Sequence, residues 1–217
     1  MKTRHAIAAL VLGLAATGCT QINQMADIAS RAEPLSGSVI EADPQQAERL
    51  SYDVREIRIE VPRDLTVSEA NSFYPLADIV WRGDPLGDRY EQVSAILRDS
   101  FVAGTESLNG DTPVIVTVTL RRFHALTERT RYTVGGVHSI KFDLTVTDAE
   151  TGVVLEGPRY INADLAALGG QAAIRADQIG ETQKVRIMRH LQMVALNELR
   201  PTEERPADGA AVVLANN

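Results

Sequence analysis

The middle of the chain carries the pattern that most restricts its fold, because apolar residues recur there at every second position over two stretches. The alternating positions are Val114, Val116, Val118 and Leu120 in the first stretch and Ile140, Phe142, Leu144 and Val146 in the second, with His138 at the head of the second set. A period of two is typical of β-strands that bury one face. Apolar residues occupy both faces in the first half of the first stretch, which indicates a strand in the centre of its sheet.

Glycine-containing turns separate these stretches from their neighbours. Gly135 and Gly136 accept the positive φ angles of a tight turn, so residues 130–134 and 137–146 are predicted to form a β-hairpin. A second turn, at residues 148–152, leads into a strand at 153–155 that the pattern could extend through residues 160–165.

Further elements precede and follow this meander. Residues 52–61 predict a half-buried first strand, and residues 79–81 a short one. Asp88 followed by Glu91 has the form of a capping box, which predicts a helix over 89–103. Residues 171–199 predict a long helix, with an interruption at Gly180 left open. The predicted fold class is α+β, a two-layer structure in which a mostly antiparallel sheet of four to five strands carries two helices on one face.

The start of the chain has the layout of a signal peptide. Lys2 and Arg4 precede an apolar run over residues 6–16, and the small residues at 16–18 lead directly to Cys19. The run is about half the length of a membrane-spanning helix. We therefore predict a lipoprotein signal peptide at residues 1–18 with lipidation of Cys19, although a plain signal peptide and a chance cysteine stay open as alternatives.

Three further segments complete the predicted organisation. Residues 19–50 are interpreted as a lipid-anchored tether, which would span roughly 30 Å if flexible; the alternative is one or two helical turns through residues 22–28 that pack on the domain. Residues 51–199 are the α+β globular domain. Residues 200–217 contain Pro201, Pro206 and Gly209 and are predicted to be a disordered tail.

Composition and missing motifs exclude several functions. The formal charge of −7 argues against nucleic-acid binding, which requires a basic surface. A single cysteine permits no intramolecular disulfide and no cysteine-based metal cluster. His124, His138 and His190 lack metal-ligand spacing, and the chain has no nucleotide-binding glycine loop or serine-hydrolase elbow. We therefore expect no cofactor, no metal and no catalytic residues.

One basic cluster stands out against the acidic background. Arg121, Arg122, Arg129 and Arg131 flank the connection after the first alternating stretch. Guanidinium groups bind phosphates and carboxylates in a bidentate manner, so these four residues are a possible anion- or partner-binding site. The alternative is a solvated surface whose charges protect a sheet edge from aggregation.

The whole layout resembles known lipoproteins. Ala16-Thr17-Gly18-Cys19 resembles the lipobox of bacterial lipoproteins, although Ala16 stands where that family usually has leucine; Thr20 rather than aspartate after the cysteine implies sorting to the outer membrane. Together with the segment from Phe142 to Gly152, the chain looks like an uncharacterised bacterial outer-membrane lipoprotein family, a domain of unknown function. Its layout over residues 1–199 is also similar to that of auxiliary lipoproteins of ABC-type lipid transporters.

That resemblance implies an outer-membrane protein that faces the periplasm and contacts protein or lipid. The first hypothesis is a non-catalytic, lipid-anchored accessory or scaffold in an envelope assembly or transport complex, with an envelope protein as its partner. The second is a protein that binds lipid or glycolipid headgroups through the four arginines. The third, an envelope hydrolase, has the least support, because no catalytic motif is present.

Overall fold

The computed structural model describes residues 51–201, so the predictions for the signal peptide, Cys19, the tether and the tail beyond Pro201 lie outside the described residues. The elements are, in chain order, β1 (Tyr52–Glu60), β2 (Ile79–Val80), α1 (Arg89–Thr105), β3 (Thr112–His124), α2 (Glu128–Arg131), β4 (Gly136–Asp148), β5 (Val154–Asn162), β6 (Leu165–Ala167), α3 (Gly170–Gln178) and α4 (Gln183–Leu199).

These strands form one mixed sheet around β3. The main strand order is β1-β3-β4-β5, and β2 pairs with the end of β3 while β6 pairs with the start of β4. β1 and β2 run parallel to β3, whereas β4 is antiparallel to β3, β5 and β6. Since parallel neighbours need a crossover connection, the chain passes through α1 between β1 and β3. The α+β class is confirmed, with six strands among the described residues instead of four to five.

The alternating residues of β3 and β4 form the core, as predicted. All nine of them are at most 2% exposed. The helices α1 and α4 pack on this face of the sheet and on each other through Val93, Ile96, Leu97, Phe101, Ile187, Leu191, Ala195 and Leu199. Phe101 of α1 meets Phe142 of β4 edge-on, with ring centroids 5.6 Å apart. Both predicted covering helices therefore lie on one face.

The start of α1 follows the sequence prediction. The carboxylate of Asp88 accepts hydrogen bonds from the backbone N–H groups of Tyr90 and Glu91, at 2.9 Å and 3.2 Å. These bonds satisfy two of the amide groups that a helix leaves unpaired at its N-terminus.

The predicted hairpin over residues 130–146 is wrong. Residues 128–131 form α2, because Thr127 caps its start by accepting a hydrogen bond from the backbone N–H of Thr130. β4 pairs instead with β3 along its length, and its first residues pair with β6. Gly135 and Gly136 do adopt positive φ angles of 74° and 149°, in the segment that leads from α2 into β4.

The break left open in the final helix is present. α3 ends at Gln178 and α4 begins at Gln183, with Gly180 between them at a φ of 82°. Thr182 caps α4 by accepting a hydrogen bond from the backbone N–H of Val185. The two helices are therefore separate elements.

The second face of the sheet is polar. Thr117 and Thr119 of β3 pair with Thr145 and Asp143 of β4, and these side chains are all half-buried. A threonine-rich face is compatible with water. Within residues 51–201, no helix has the length and apolar character required to cross a bilayer.

Candidate functional site: the arginines around the end of β3

The four predicted arginines have different environments. Arg121 lies on the open sheet face, where its Nε donates to Asp143 at 2.6 Å and its guanidinium sits 5.8 Å from the ring centroid of Tyr160. Arg122 and Arg129 both contact the loop between β1 and β2. Arg131 is only 5% exposed. The structure thus brings Arg122 and Arg129 to one loop and gives Arg121 and Arg131 other partners.

The contacted loop carries aromatic side chains. Arg122 Nη2 donates to the Tyr74 hydroxyl at 3.0 Å, and the Arg129 guanidinium lies 4.6 Å from the centroid of the Phe73 ring. Phe73 is 51% exposed, Tyr74 65% and Leu76 93%. We call Phe73, Tyr74, Leu76, Arg122 and Arg129 the aromatic–arginine surface. Its composition is that of protein interfaces, where aromatic residues and arginine are enriched.

Backbone contacts hold this loop in place. The hydroxyl groups of Thr127 and Thr130 donate to the carbonyl oxygens of Ser72 and Phe73, at 2.8 Å and 2.7 Å. The backbone N–H of Arg129 donates to the Asn71 side chain at 2.9 Å. The turn of α2 therefore positions both arginine and aromatic side chains, since it anchors the loop at consecutive residues.

His124, at the end of β3, contacts the same loop. Its ring stacks on Tyr74 with centroids 4.7 Å apart, and its Nε2 lies 2.9 Å from the carbonyl oxygen of Pro75. Burial holds the pKa of His124 below its usual value, and the charge of Arg122 acts in the same direction. A neutral ring with its hydrogen on Nε2 donates to Pro75, so His124 has a structural role here.

A cleft of about 410 Å³ lies beside α2, α4 and the β2–α1 connection. Its polar lining includes Arg82, Glu128, Arg131, Asp177, Gln183 and Lys184. Arg131 Nη2 bonds to Asp177 Oδ1 at 2.6 Å, and the Tyr132 hydroxyl donates to the second oxygen of that carboxylate at 3.2 Å. Arg82 pairs with Glu128 at 2.5 Å. The cleft is thus lined by charges of both signs.

One wall of the cleft is tied to the core through Asp84. Its carboxylate accepts from Lys184 Nζ at 2.7 Å and from the indole N–H of the fully buried Trp81 at 2.8 Å. Burial works in the opposite direction, yet the two hydrogen bonds keep the pKa of Asp84 below its usual value. Asp84 therefore joins α4 to the core.

Two parts of this region were outside the reach of sequence reasoning. The aromatic loop comes from a stretch without periodicity, and the cleft joins Arg131 to Asp177 and Gln183 across about fifty residues of chain. Two adjacent aromatic residues, Phe73 and Tyr74, in an otherwise polar loop were the sequence signal that could have indicated the aromatic–arginine surface. Among residues 51–201, no group of three histidine, cysteine, aspartate or glutamate side chains is arranged to hold a metal ion.

Comparison with known proteins places most of the domain in a family. Residues 52–214 match the sequence profile described as a family of unknown function, DUF6778. No curated protein matches the chain. Among solved structures, the chain is similar to a candidate lipoprotein from Caulobacter crescentus CB15, with which it shares 14% sequence identity. That match covers 65% of this chain and 89% of the other, with a TM-score of 0.28.

Proposed function

The chain belongs to DUF6778, a family of unknown function, and from this premise we propose that it is a lipid-anchored protein of the bacterial envelope that acts without catalysis as an accessory or scaffold. Cys19 would carry the lipid, and the outer membrane facing the periplasm is its proposed location. The domain would contact an envelope protein in an assembly or transport complex.

The observation that carries this proposal is the order of residues at the start of the chain. Basic Lys2 and Arg4, the apolar run and the small residues end at Cys19, the chain's single cysteine. The described domain begins its first strand at Tyr52, well separated along the chain from that cysteine. Acyl chains stabilise membrane attachment by about 0.8 kcal/mol per buried methylene, so two or more make it lasting.

Labelling and fractionation test the anchor. Cells that express the full chain are grown with a palmitate analogue, and membranes are separated from soluble periplasmic contents. We expect label and protein together in the outer-membrane fraction, with Cys19→Ser abolishing the label and releasing the protein. An unlabelled wild-type chain in the soluble fraction would contradict the proposal.

The aromatic–arginine surface supports the accessory role. Leu76 and Tyr74 are among the more exposed large apolar side chains of the described domain, and the loop that carries them is fixed by hydrogen bonds to α2. An ordered loop loses little conformational entropy on binding, which favours a contact surface. Aromatic and arginine side chains together are the residues that dominate binding energy at many protein interfaces.

Site-specific crosslinking tests this contact. A photoreactive residue at position 76 is compared with one at position 153. Val153 is a suitable control because it is 58% exposed and follows the end of β4, whereas His124, beneath the aromatic–arginine surface, pairs near the start of β4. We expect a defined protein adduct in native membranes from position 76 and none from position 153. Equal crosslinking from both positions, or none from either, would refute a contact through this surface.

A second function, binding of lipid or glycolipid headgroups, has support from the same residues. The guanidinium groups of Arg122 and Arg129 lie beside exposed Phe73 and Tyr74. Aromatic side chains favour the membrane interface, and each arginine near an anionic membrane surface contributes about 1 kcal/mol. Loss of both would weaken vesicle binding about 30-fold.

Vesicle binding separates the two functions. The full chain carries Cys19→Ser so that it can be handled without detergent, and it is mixed with vesicles that contain anionic lipid. In this background, the Arg122→Gln, Arg129→Gln double variant is compared with the Arg58→Gln, Arg189→Gln double variant. The control removes the same charge from exposed arginines that pair with Glu56 and Glu181. Selective weakening by the first pair supports headgroup binding, whereas equal binding of both variants contradicts it.

A further inference from the structure

Three buried polar atoms, on two residues that line the cleft and on one bonded to the lining residue Leu126, have no hydrogen-bond partner within the described part of the chain: Arg131 Nη1, Gln183 Oε1 and His138 Nε2. Their residues are 5%, 6% and 1% exposed. An unsatisfied buried polar group costs about 1–3 kcal/mol, so such groups call for an explanation.

Leu126 connects Gln183 and His138. Gln183 Nε2 donates to the carbonyl oxygen of Leu126 at 3.3 Å, and the backbone N–H of Leu126 donates to His138 Nδ1 at 3.4 Å. Arg131, Leu126 and Gln183 also line the same cleft. Arg131 Nη1 and Gln183 Oε1 thus belong to residues of the cleft wall, contributed by α2 and α4, and His138 of β4 lies one hydrogen bond behind the lining residue Leu126.

The hydrogen bonds already made define what each free atom offers. Because His138 accepts at Nδ1, its hydrogen lies on Nε2, which is a donor. Burial lowers the pKa of His138 to about 3, and the positive charges of Arg131 and Arg186 contribute to that shift, so the ring is neutral at pH 7. Arg131 Nη1 is a second donor. Gln183 Oε1 is an acceptor, since the amide nitrogen is already in use.

The charges around Arg131 are balanced less completely than those in the rest of the cleft, where Arg82 pairs with Glu128 and Lys184 pairs with Asp84. Arg131 has one carboxylate partner, Asp177, which also binds Tyr132. The Arg186 side chain donates to the carbonyl oxygen of Ala166 at 3.3 Å, and within residues 51–201 it makes no ion pair. The negative charge of Glu181 raises the pKa of Arg186, but both oxygens of that carboxylate accept hydrogen bonds from the terminal nitrogens of Arg189. Arg131 and Arg186, which interact electrostatically, therefore have one carboxylate partner between them, Asp177, and this favours an anion beside Arg131.

We propose that this cleft binds a small oxyanion that carries an O–H donor, such as a hydroxylated carboxylate or a hydrogen phosphate group. Its anionic oxygen accepts from Arg131 Nη1, and its O–H group donates to Gln183 Oε1. Small rotations of the Arg131 and Gln183 end groups bring these atoms to the ligand, a change of the kind that binding commonly produces. A volume of about 410 Å³ is in the range of small-molecule sites.

Calorimetric titration of the full lipid-anchored chain in detergent tests the site with three probes: glycolate, inorganic phosphate and acetate. Acetate is the matched probe, because it lacks the hydroxyl of glycolate. We expect glycolate to bind more tightly than acetate, and Gln183→Met to remove that difference. Binding of phosphate as well as glycolate would show that the site accepts either oxyanion; glycolate alone would assign it to carboxylates. Equal affinity for glycolate and acetate in the wild-type chain would overturn the assignment to Gln183.

Arg131→Met should weaken binding of glycolate at least about tenfold, whereas Arg121→Met, which removes an exposed arginine on the open sheet face, should leave it unchanged. If Arg131→Met does not fold, the wild-type chain still decides the question through the nitrogen resonances of the His138 ring. Saturating glycolate should shift these resonances and raise the pKa of His138, because an anion at Arg131 offsets a positive charge that lowers this pKa. No heat and no shift with all three probes would refute the site.

Discussion

Gly104→Ala tests the packing of α1 against α4, on which the domain's core depends. A Cβ atom on Gly104 would lie 2.4 Å from the carbonyl oxygen of Gln192 and 3.0 Å from the Cβ of Ala195. An ordinary contact needs roughly 3.4 Å, so the helices would have to separate by about 1 Å. A gap of that size forfeits a quarter to a half of a dispersion contact.

The magnitude follows from two opposing effects. Overpacking against backbone costs about 3 kcal/mol, near the upper end of the usual range. Alanine offsets at most about 1 kcal/mol of this through its better helix propensity. The expected net loss is about 2 kcal/mol, which lowers the urea midpoint by about 1 M if the slope is about 2 kcal/mol per M.

The assay is urea unfolding of the full chain, followed by the fluorescence of its single tryptophan, Trp81, which is fully buried. Ala103→Gly is the matched control, because the neighbouring residue is exposed on the same helix and reports propensity without a clash. We expect Gly104→Ala to be destabilised although it improves propensity. A more stable Gly104→Ala protein would refute the close approach of α1 and α4.

Three other changes are informative. Asp84→Ala leaves the buried indole N–H of Trp81 without its acceptor, so the free energy of unfolding should fall by about 1–3 kcal/mol. The fluorescence emission of Trp81 should also shift, and unchanged emission would contradict this prediction. Leu144→Ala, at a position 1% exposed in β4, should cost about 3 kcal/mol in thermal or urea unfolding, and a loss below about 1 kcal/mol would argue against a packed core there. Because the pKa of His138 is about 3 in the folded chain and about 6.5 when unfolded, the unfolded chain binds more protons between these values, so stability should fall as the pH is lowered from 6.5 towards 3. The urea midpoint measured at pH 7 and pH 5 should fall less in His138→Asn than in the wild type, and equal decreases would contradict the pKa of this residue.

Local periodicity made the central strands and α1 predictable. In β3 and β4 the buried set is the alternating set, because one face of each strand packs on α1 and α4. Asp88 marked the start of α1 because its carboxylate caps the helix directly. These predictions depended only on residues close together in the sequence.

Contacts between distant residues limited the rest of the prediction. Three of the five residues at 130–134 are β-branched, which is typical of a strand. Thr127 nevertheless caps a helical turn there, and the hydroxyl of Thr130 holds the loop at Phe73. The parallel pairing of β1 with β3 left no sign in the alternation of either strand. Likewise, the four arginines are close in sequence, but Arg131 turns inward to Asp177 while Arg122 faces Tyr74. Proximity along the chain did not determine their partners.

The most direct test of the central proposal is the intact mass of the full chain purified from native outer membranes, measured beside Cys19→Ser. The account predicts a wild-type mass that equals the chain from Cys19 onward plus a diacylglyceryl group and any further acyl chain, with no such addition in the variant. A wild-type mass that matches an unmodified chain would contradict lipid anchoring, and the proposed envelope role with it.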